Sequence, residues 1–280
     1  MNFQDFKKIF AKFWQSDDGK ISLIRDIVVA LIAVFIIIMI LWSYTGQWFA
    51  TPMVAIESGS MMHEDEAFGR IGYIDAGDMV LLVKVYKKDD IIAHGSVYGG
   101  AVAIKDPNMF LYGDYGDVIV YKKYGRDDED QIIHRAMCWI EYNEKYNTYS
   151  VSEYAIRNES SVTIDDLGLK NYKPKSSGFI TQGDNPLTNP TCDQVGGICS
   201  VPIKLEWISG KAACELPWIG TINLLFNDFI TGAFWDDSKE ITIYNVPGDS
   251  TFCLAIVIIV LVSIPASLDL YDYFRSKKKK

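Results

Sequence analysis

Ile27-Val-Val-Ala-Leu-Ile-Ala-Val-Phe-Ile-Ile-Ile-Met-Ile-Leu-Trp42 is an unbroken apolar run, and no charged residue occurs from Ile27 to Ile56. A helix that crosses the hydrocarbon core of a bilayer needs about 20 such residues. The stretch predicts a spanning helix over residues 27–50. A cleaved signal peptide fits less well, because 26 residues precede the run and Trp48-Phe49-Ala50 is a poor small-x-small cleavage site. Trp42, Tyr44 and Trp48 suit the aromatic belt of a membrane–water interface.

Working outward, a second uncharged stretch runs from Thr251 to Leu268 and contains Leu254-Ala-Ile-Val-Ile-Ile-Val-Leu-Val262. It is short for a span, and Pro265 is expected to bend its end; the rival is a buried core helix. The tail Arg275-Ser-Lys277-Lys-Lys-Lys280 favours the span, because basic clusters beside a span mark the cytoplasmic side. The flanks support this. Residues 1–26 carry five basic and four acidic groups, and residues 269–280 carry five and two. Residues 51–250 carry 17 basic and 30 acidic groups, so the overall charge of −9 conceals an acidic middle between basic ends. The expected order is a cytoplasmic segment (1–26), a span (27–50), an extracytoplasmic domain (51–250), a second span (251–268) and a cytoplasmic tail (269–280). An acidic middle argues against nucleic acid as a partner. An aromatic content of 13% argues against disorder.

The middle reads as mostly β. Met79-Val-Leu-Leu-Val-Lys-Val-Tyr86, Val118-Ile-Val-Tyr121, Ile132-Ile-His-Arg-Ala-Met-Cys-Trp-Ile-Glu-Tyr142, Thr148-Tyr-Ser-Val-Ser-Glu-Tyr154 and Gly178-Phe-Ile-Thr181 are rich in β-branched and aromatic residues. Gly99-Gly100 and Gly113-Asp-Tyr-Gly-Asp117 read as turns, and Arg126-Asp-Asp-Glu-Asp130 as a solvated hairpin tip. No long stretch shows a clear 3.6-residue apolar period. Four of the five cysteines, Cys138, Cys192, Cys199 and Cys214, fall in the domain expected outside the cell, where disulfides persist. Cys192 and Cys199 flank Gly196-Gly197 and are the favoured pair. No Cys-x-x-Cys pair exists to suggest a zinc site.

The chemistry-bearing residues come in the order Ser, His, Asp. Glu57-Ser58-Gly59-Ser60-Met61-Met62 follows the first span closely. His134 is one of three histidines and sits in a strand-like run. Gly183-Asp184-Asn185 ends another strand, with Asp193 nine residues beyond Asp184. A serine hydroxyl needs a base to become a useful nucleophile. An imidazole can take its proton, and a carboxylate can orient and stabilise that imidazole. A lone serine, histidine or aspartate would ordinarily be structural; the order raises the set above its members.

Ser58-Gly-Ser60-Met61, Gly116-Asp117-Val-Ile-Val-Tyr121, Ile132-Ile-His134-Arg135, Gly183-Asp184-Asn185 with Asp193, and Gly210-Lys-Ala with Leu216-Pro-Trp-Ile-Gly220 together resemble type I signal peptidases of the archaeal and eukaryotic branch. The resemblance spans about residues 27–225. It implies a signal-peptidase-like β fold on membrane anchors and a serine endopeptidase that needs no cofactor or metal. Ser60 would be the nucleophile and His134 the general base, where the bacterial branch has a lysine. Asp193 resembles the triad acid and Asp184 a supporting or alternative acid, with their order left open. The Ser60 backbone N–H and the Ser58 hydroxyl would serve the oxyanion. Met61, Ile133 and the strands around them would wall an apolar substrate pocket. Implied partners are secretory preproteins with small residues at −1 and −3, the lipid bilayer and the protein-export translocon. Two features depart from the family pattern. His63 stands where a proline is usual and either only changes the turn or is a rival base, and the long segment 64–112 is an expected insertion, either a hairpin pair that shapes substrate access or ordinary decoration. The alternative class is a non-catalytic extracellular binding or assembly module held by the same two spans.

Overall fold

The computed structural model describes residues 4, 7, 13–16, 18–63, 71–95, 110–236 and 238–277. The chain divides into two units, Met1–Pro52 and Met53–Lys280.

The first unit is dominated by helix α1 (Gly19–Thr45). Asp18 starts it, its carboxylate accepting from the backbone N–H groups of Lys20 and Ile21. These are among the donors that the first turn of a helix leaves without an internal partner. Gly46 ends it in the left-handed conformation (φ 69°), donating to the Trp42 carbonyl. The helix therefore starts before the span expected at 27–50 and stops short of its end. Beyond Gly46 the chain folds back: Trp42 Nε1 donates to Ala50 O at 3.0 Å, and the Trp42 and Phe49 rings lie 5.2 Å apart. At about 1.5 Å per residue the helix is roughly 40 Å long, more than the hydrocarbon core requires.

The second unit is a β-rich body followed by two longer helices. Its main sheet orders the strands β1 (Met53–Ala55), β2 (Met79–Val83), β12 (Ile208–Leu216), β5 (Val118–Lys122), β6 (Gln131–Asn143), β7 (Thr148–Val151) and β8 (Ile156–Glu159), and β11 (Gly178–Gln182) also pairs with β6. Two small hairpins flank it, β3 (Phe110–Leu111) with β4 (Asp114–Tyr115), and β9 (Val162–Ile164) with β10 (Leu169–Tyr172). All the pairings among the described residues are antiparallel. The 13-residue strand β6 is the organiser: it pairs with β5 over 131–135, with β11 over 135–140 and with β7 over 141–143. Strand β5 is buried on both faces. Val118 and Val120 enter one core with Ile56, Val80 and Leu82, while Ile119 and Tyr121 enter another with Phe179 and Ile203. That two-sided burial explains why its sequence is a continuous apolar run instead of an alternating one.

Two expectations need correction. Residues 79–83 are no inserted hairpin, since β2 lies between β1 and β12 inside the main sheet. Asp78 just before it caps the neighbourhood, its carboxylate accepting from Asp75 N and Trp218 N. Of that segment, 64–70 and 96–109 with Gly99-Gly100 lie outside the described residues. Cys192 and Cys199 form no bridge, and all five cysteines are free thiols. The two side chains enter different cores: Cys192 packs with Leu167, Leu169 and Ile180, and Cys199 with Ile119, Phe179 and Ile203. Burial pushes the Cys192 thiol up to about 11. The 126–130 tip is as expected, with Arg126 paired to Asp128 and Glu129 on the exposed β5–β6 connection.

After a four-residue helix α2 (Asp193–Gly196) and strand β12 come α3 (Gly220–Thr231) and α4 (Gly248–Lys277). Helix α4 contains the stretch 251–268 and continues through Pro265. Gly19–Thr45 and Gly248–Pro265 are long and apolar enough to cross a membrane.

Candidate active site

Strand β6 places the central residues. Successive side chains on a strand point to opposite faces, so His134 and Arg135 meet different carboxylates. His134 Nδ1 lies 2.8 Å from both oxygens of Asp193, and both residues are buried. Arg135 turns the other way. Its Nε donates to Asp184 at 2.9 Å, while its remaining N–H groups reach the carbonyls of Leu111, Tyr112 and Gly116. The two aspartates whose order the sequence leaves open are thus separated by geometry: Asp193 faces the imidazole and Asp184 the guanidinium.

Asp193 receives more than the imidazole. Tyr121 Oη donates to its Oδ2 at 2.7 Å, and the Thr181 hydroxyl donates to the same oxygen. Burial first, and the adjacent Asp193 charge second, hold the Tyr121 hydroxyl well above the usual phenol range, so it stays a donor. A carboxylate held by two fixed donors on one oxygen faces His134 in one orientation, with both oxygens within reach of Nδ1. With Nδ1–H donating to Asp193, the lone pair of the ring lies on Nε2.

Ser60 sits in a turn after β1, and the segment following β11 clamps it from outside. Asn185 N and Asn189 Nδ2 donate to the Ser60 carbonyl at 3.0 and 3.1 Å, and Asn185 Nδ2 donates to the Gly59 carbonyl at 2.8 Å. Gly183 makes the approach feasible: a Cβ there would lie 2.6 Å from Ser60 O and 2.5 Å from Asn189 Nδ2. Ser58 Oγ donates to Ser60 Oγ at 3.4 Å. Ser58, Ser60, Ile133, His134, Asn189 and Asn245 line one cleft of about 550 Å³. Ser60 and His134 share this cleft without a direct hydrogen bond among those formed by the described residues. Around the cleft, burial first and then the charges of Asp130, Asp228 and Glu240 raise the Glu57 carboxyl above its ordinary range.

The other expected site residues divide between the cleft and its surroundings. Ile133 lines the cleft, but Met61 does not: it is buried with Ile56, Ile74 and Val118, where it pins the Ser60 turn to the core. His63 faces Asp184 (3.8 Å) and the Tyr73 ring and lies outside the cleft. Asp117 holds Lys211 at 3.0 Å and accepts from Ile92 N, tying β5 to β12. Sequence reasoning missed Tyr121, Thr181 and Asn189 as partners in the site. Tyr121 and Thr181 end β-branched runs, which mark a strand but not a cross-strand hydrogen bond. Only the second amide after Gly183-Asp-Asn185 hinted at Asn189. Among the described residues, no group of three or more His, Cys, Asp or Glu side chains is arranged to hold a metal ion. No protein-family model matches the chain, and no curated protein matches it.

Proposed function

We propose that the chain is a membrane-anchored serine endopeptidase that removes signal peptides from secretory preproteins, in the manner of the type I signal peptidases its motifs resemble. One observation carries the reading: a buried His134–Asp193 pair opens onto the cleft that Ser60 lines. In this mechanism Ser60 Oγ turns from Ser58 to His134 Nε2, gives up its proton and attacks the scissile carbonyl. His134 then passes the proton to the leaving amine while Asp193 stabilises the imidazolium. The Ser60 N–H and the Ser58 hydroxyl stabilise the oxyanion.

The cleft also suits an extended peptide. Val54, Ala55 and Ile56 line it, and β1 is the terminal strand of the sheet, so a substrate can be added as a further strand. Small residues at −1 and −3 are the substrate preference that the resemblance implies. Two apolar helices support anchoring in a membrane, and two crossings put both basic ends on one side, the cytoplasmic one by the positive-inside rule. Ser60 follows the end of α1 by only 15 positions. A short tether of this kind keeps the nucleophile near the depth where a signal peptide leaves the bilayer, which replaces a three-dimensional search. The translocon is the partner that would deliver such substrates.

Preprotein cleavage by the detergent-solubilised full chain tests the reading. Ser60→Ala and His134→Ala are each expected to lower kcat by roughly 10⁴–10⁶-fold with the fold retained. Wild-type turnover in either variant returns the chain to the class of non-catalytic modules.

A further inference from the structure

Helix α3 is amphipathic with its apolar side turned outward. Ile222, Leu225, Phe226, Phe229 and Ile230 recur at the spacing of one helix face, and each is 50–65% exposed. The inward face consists of Gly220, Thr221, Leu224 and Asp228. Phe234 and Trp235 extend the outward face, and the Phe229 and Trp235 rings meet edge to face at 5.4 Å. Exposed apolar patches of this kind mark contact surfaces.

The character of the patch selects a lipid surface. From Leu216 to Trp235 the only ionisable side chain is Asp228. It points inward, accepting from Thr242 Oγ1 at 2.8 Å and Ile243 N at 2.9 Å. The outward face therefore offers no charge to a protein partner and no cation to an anionic headgroup. It offers aliphatic and aromatic bulk with a tryptophan at one end, as the apolar face of a helix lying in a membrane interface does. The face is also continuous with an anchor, because α4 begins 17 positions after Thr231 ends α3, within the same compact unit.

We propose that α3 lies in the bilayer surface with Phe226 and Phe229 among the acyl chains, and that it sets the depth of the Ser60 cleft; this rests on the membrane-anchored reading above. The linkage to the cleft is short. Asn223 of α3 lines it, and Asp228 holds Thr242, which lines it too. Asn245, three residues further on, donates to the Glu57 carbonyl at 3.0 Å. Gly220 packs against the Asp78 carbonyl, where a Cβ would lie at 2.1 Å, so the start of the helix is fixed to the strand layer. The ligand is the acyl-chain region of a lipid bilayer without requirement for anionic headgroups.

The test uses the full chain with Cys214→Ser and Cys253→Ser, leaving three buried thiols. Nitroxide labels are attached at Phe226→Cys or Phe229→Cys, with reference labels at Ile258→Cys in α4 and at Glu144→Cys in the exposed β6–β7 turn. The protein is reconstituted in phosphatidylcholine nanodiscs, and collision of each label with oxygen and with a water-soluble nickel chelate is measured. Labels at 226 and 229 are expected to show an oxygen-to-nickel ratio several-fold above that at 144 and of the same order as that at 258. A ratio equal to that at 144, with 258 in lipid, overturns the interfacial helix and leaves the anchor intact. Shielding from both reagents identifies a protein occupant and also overturns it. A water-exposed label at 258 removes the anchor itself, and the inference with it.

Discussion

Asp193 and Asp184 show how one strand can assign different tasks to two similar groups. Asp193 is buried with His134, Tyr121 and Thr181 around it, whereas Asp184 neutralises an arginine that gathers the 111–116 turn. Their substitutions should separate accordingly. Asp193→Asn is expected to lower kcat by about 10⁴-fold, because an amide favours the wrong imidazole tautomer. Asp184→Asn leaves Arg135 buried beside a neutral group and is expected to cost about 3–5 kcal/mol of stability, with the catalytic loss following the unfolding. Denaturant melts and kcat measured on the same preparations check both, and the reverse pattern would exchange the two roles.

At the level of elements, the loop after β11 is tightly fitted against the Ser60 turn. Gly183→Ala would press a methyl group against the Ser60 carbonyl and the Asn189 amide. The loop must then retreat and loosen the Asn189 clamp, and a shift of about 1 Å at a reacting group costs on the order of 10²-fold. The expected outcome is a kcat loss of that order with the protein still folded; unchanged turnover would show that the clamp is dispensable. Much of this architecture was readable beforehand. The long β-branched run of β6, the Ser–His–Asp order and the two apolar helices all follow from local pattern. What escaped depended on contacts between distant segments. The segment around β2 read as decoration because nothing local shows that it pairs with β12, more than 100 residues later. Helix α3 is hard to read from sequence because 12 residues give only a brief periodic signal. The spacing of Cys192 and Cys199 suggested a bridge because sequence does not reveal that their side chains enter different cores.

The whole molecule carries its acidity in residues 51–250, and part of that acidity is buried beside β12. Burial first, then the charges of Asp78 and Asp75, raise the Glu215 carboxyl to about 7, against the opposing pull of its bond from Gly72 N. Its ordinary value is 4.5. The folded state therefore holds this proton more tightly than the unfolded state does. The stabilisation is complete below pH 4.5 and is lost as pH rises towards about 7. Glu57, also raised, contributes with the same sign. Thermal melts across this range should show the wild type losing stability relative to Glu215→Gln, with the difference levelling off above pH 7–8. A constant difference would assign the pH dependence to other groups.

The unbridged cysteines have a consequence for how the protein is handled and where it can mature. No covalent tie holds the β-rich body together, so its folding depends on neither an oxidant nor a disulfide isomerase. Cores formed by apolar side chains and hydrogen-bonded strands are indifferent to thiol reductants. A domain built in this way can reach its native state whatever the redox potential of its surroundings.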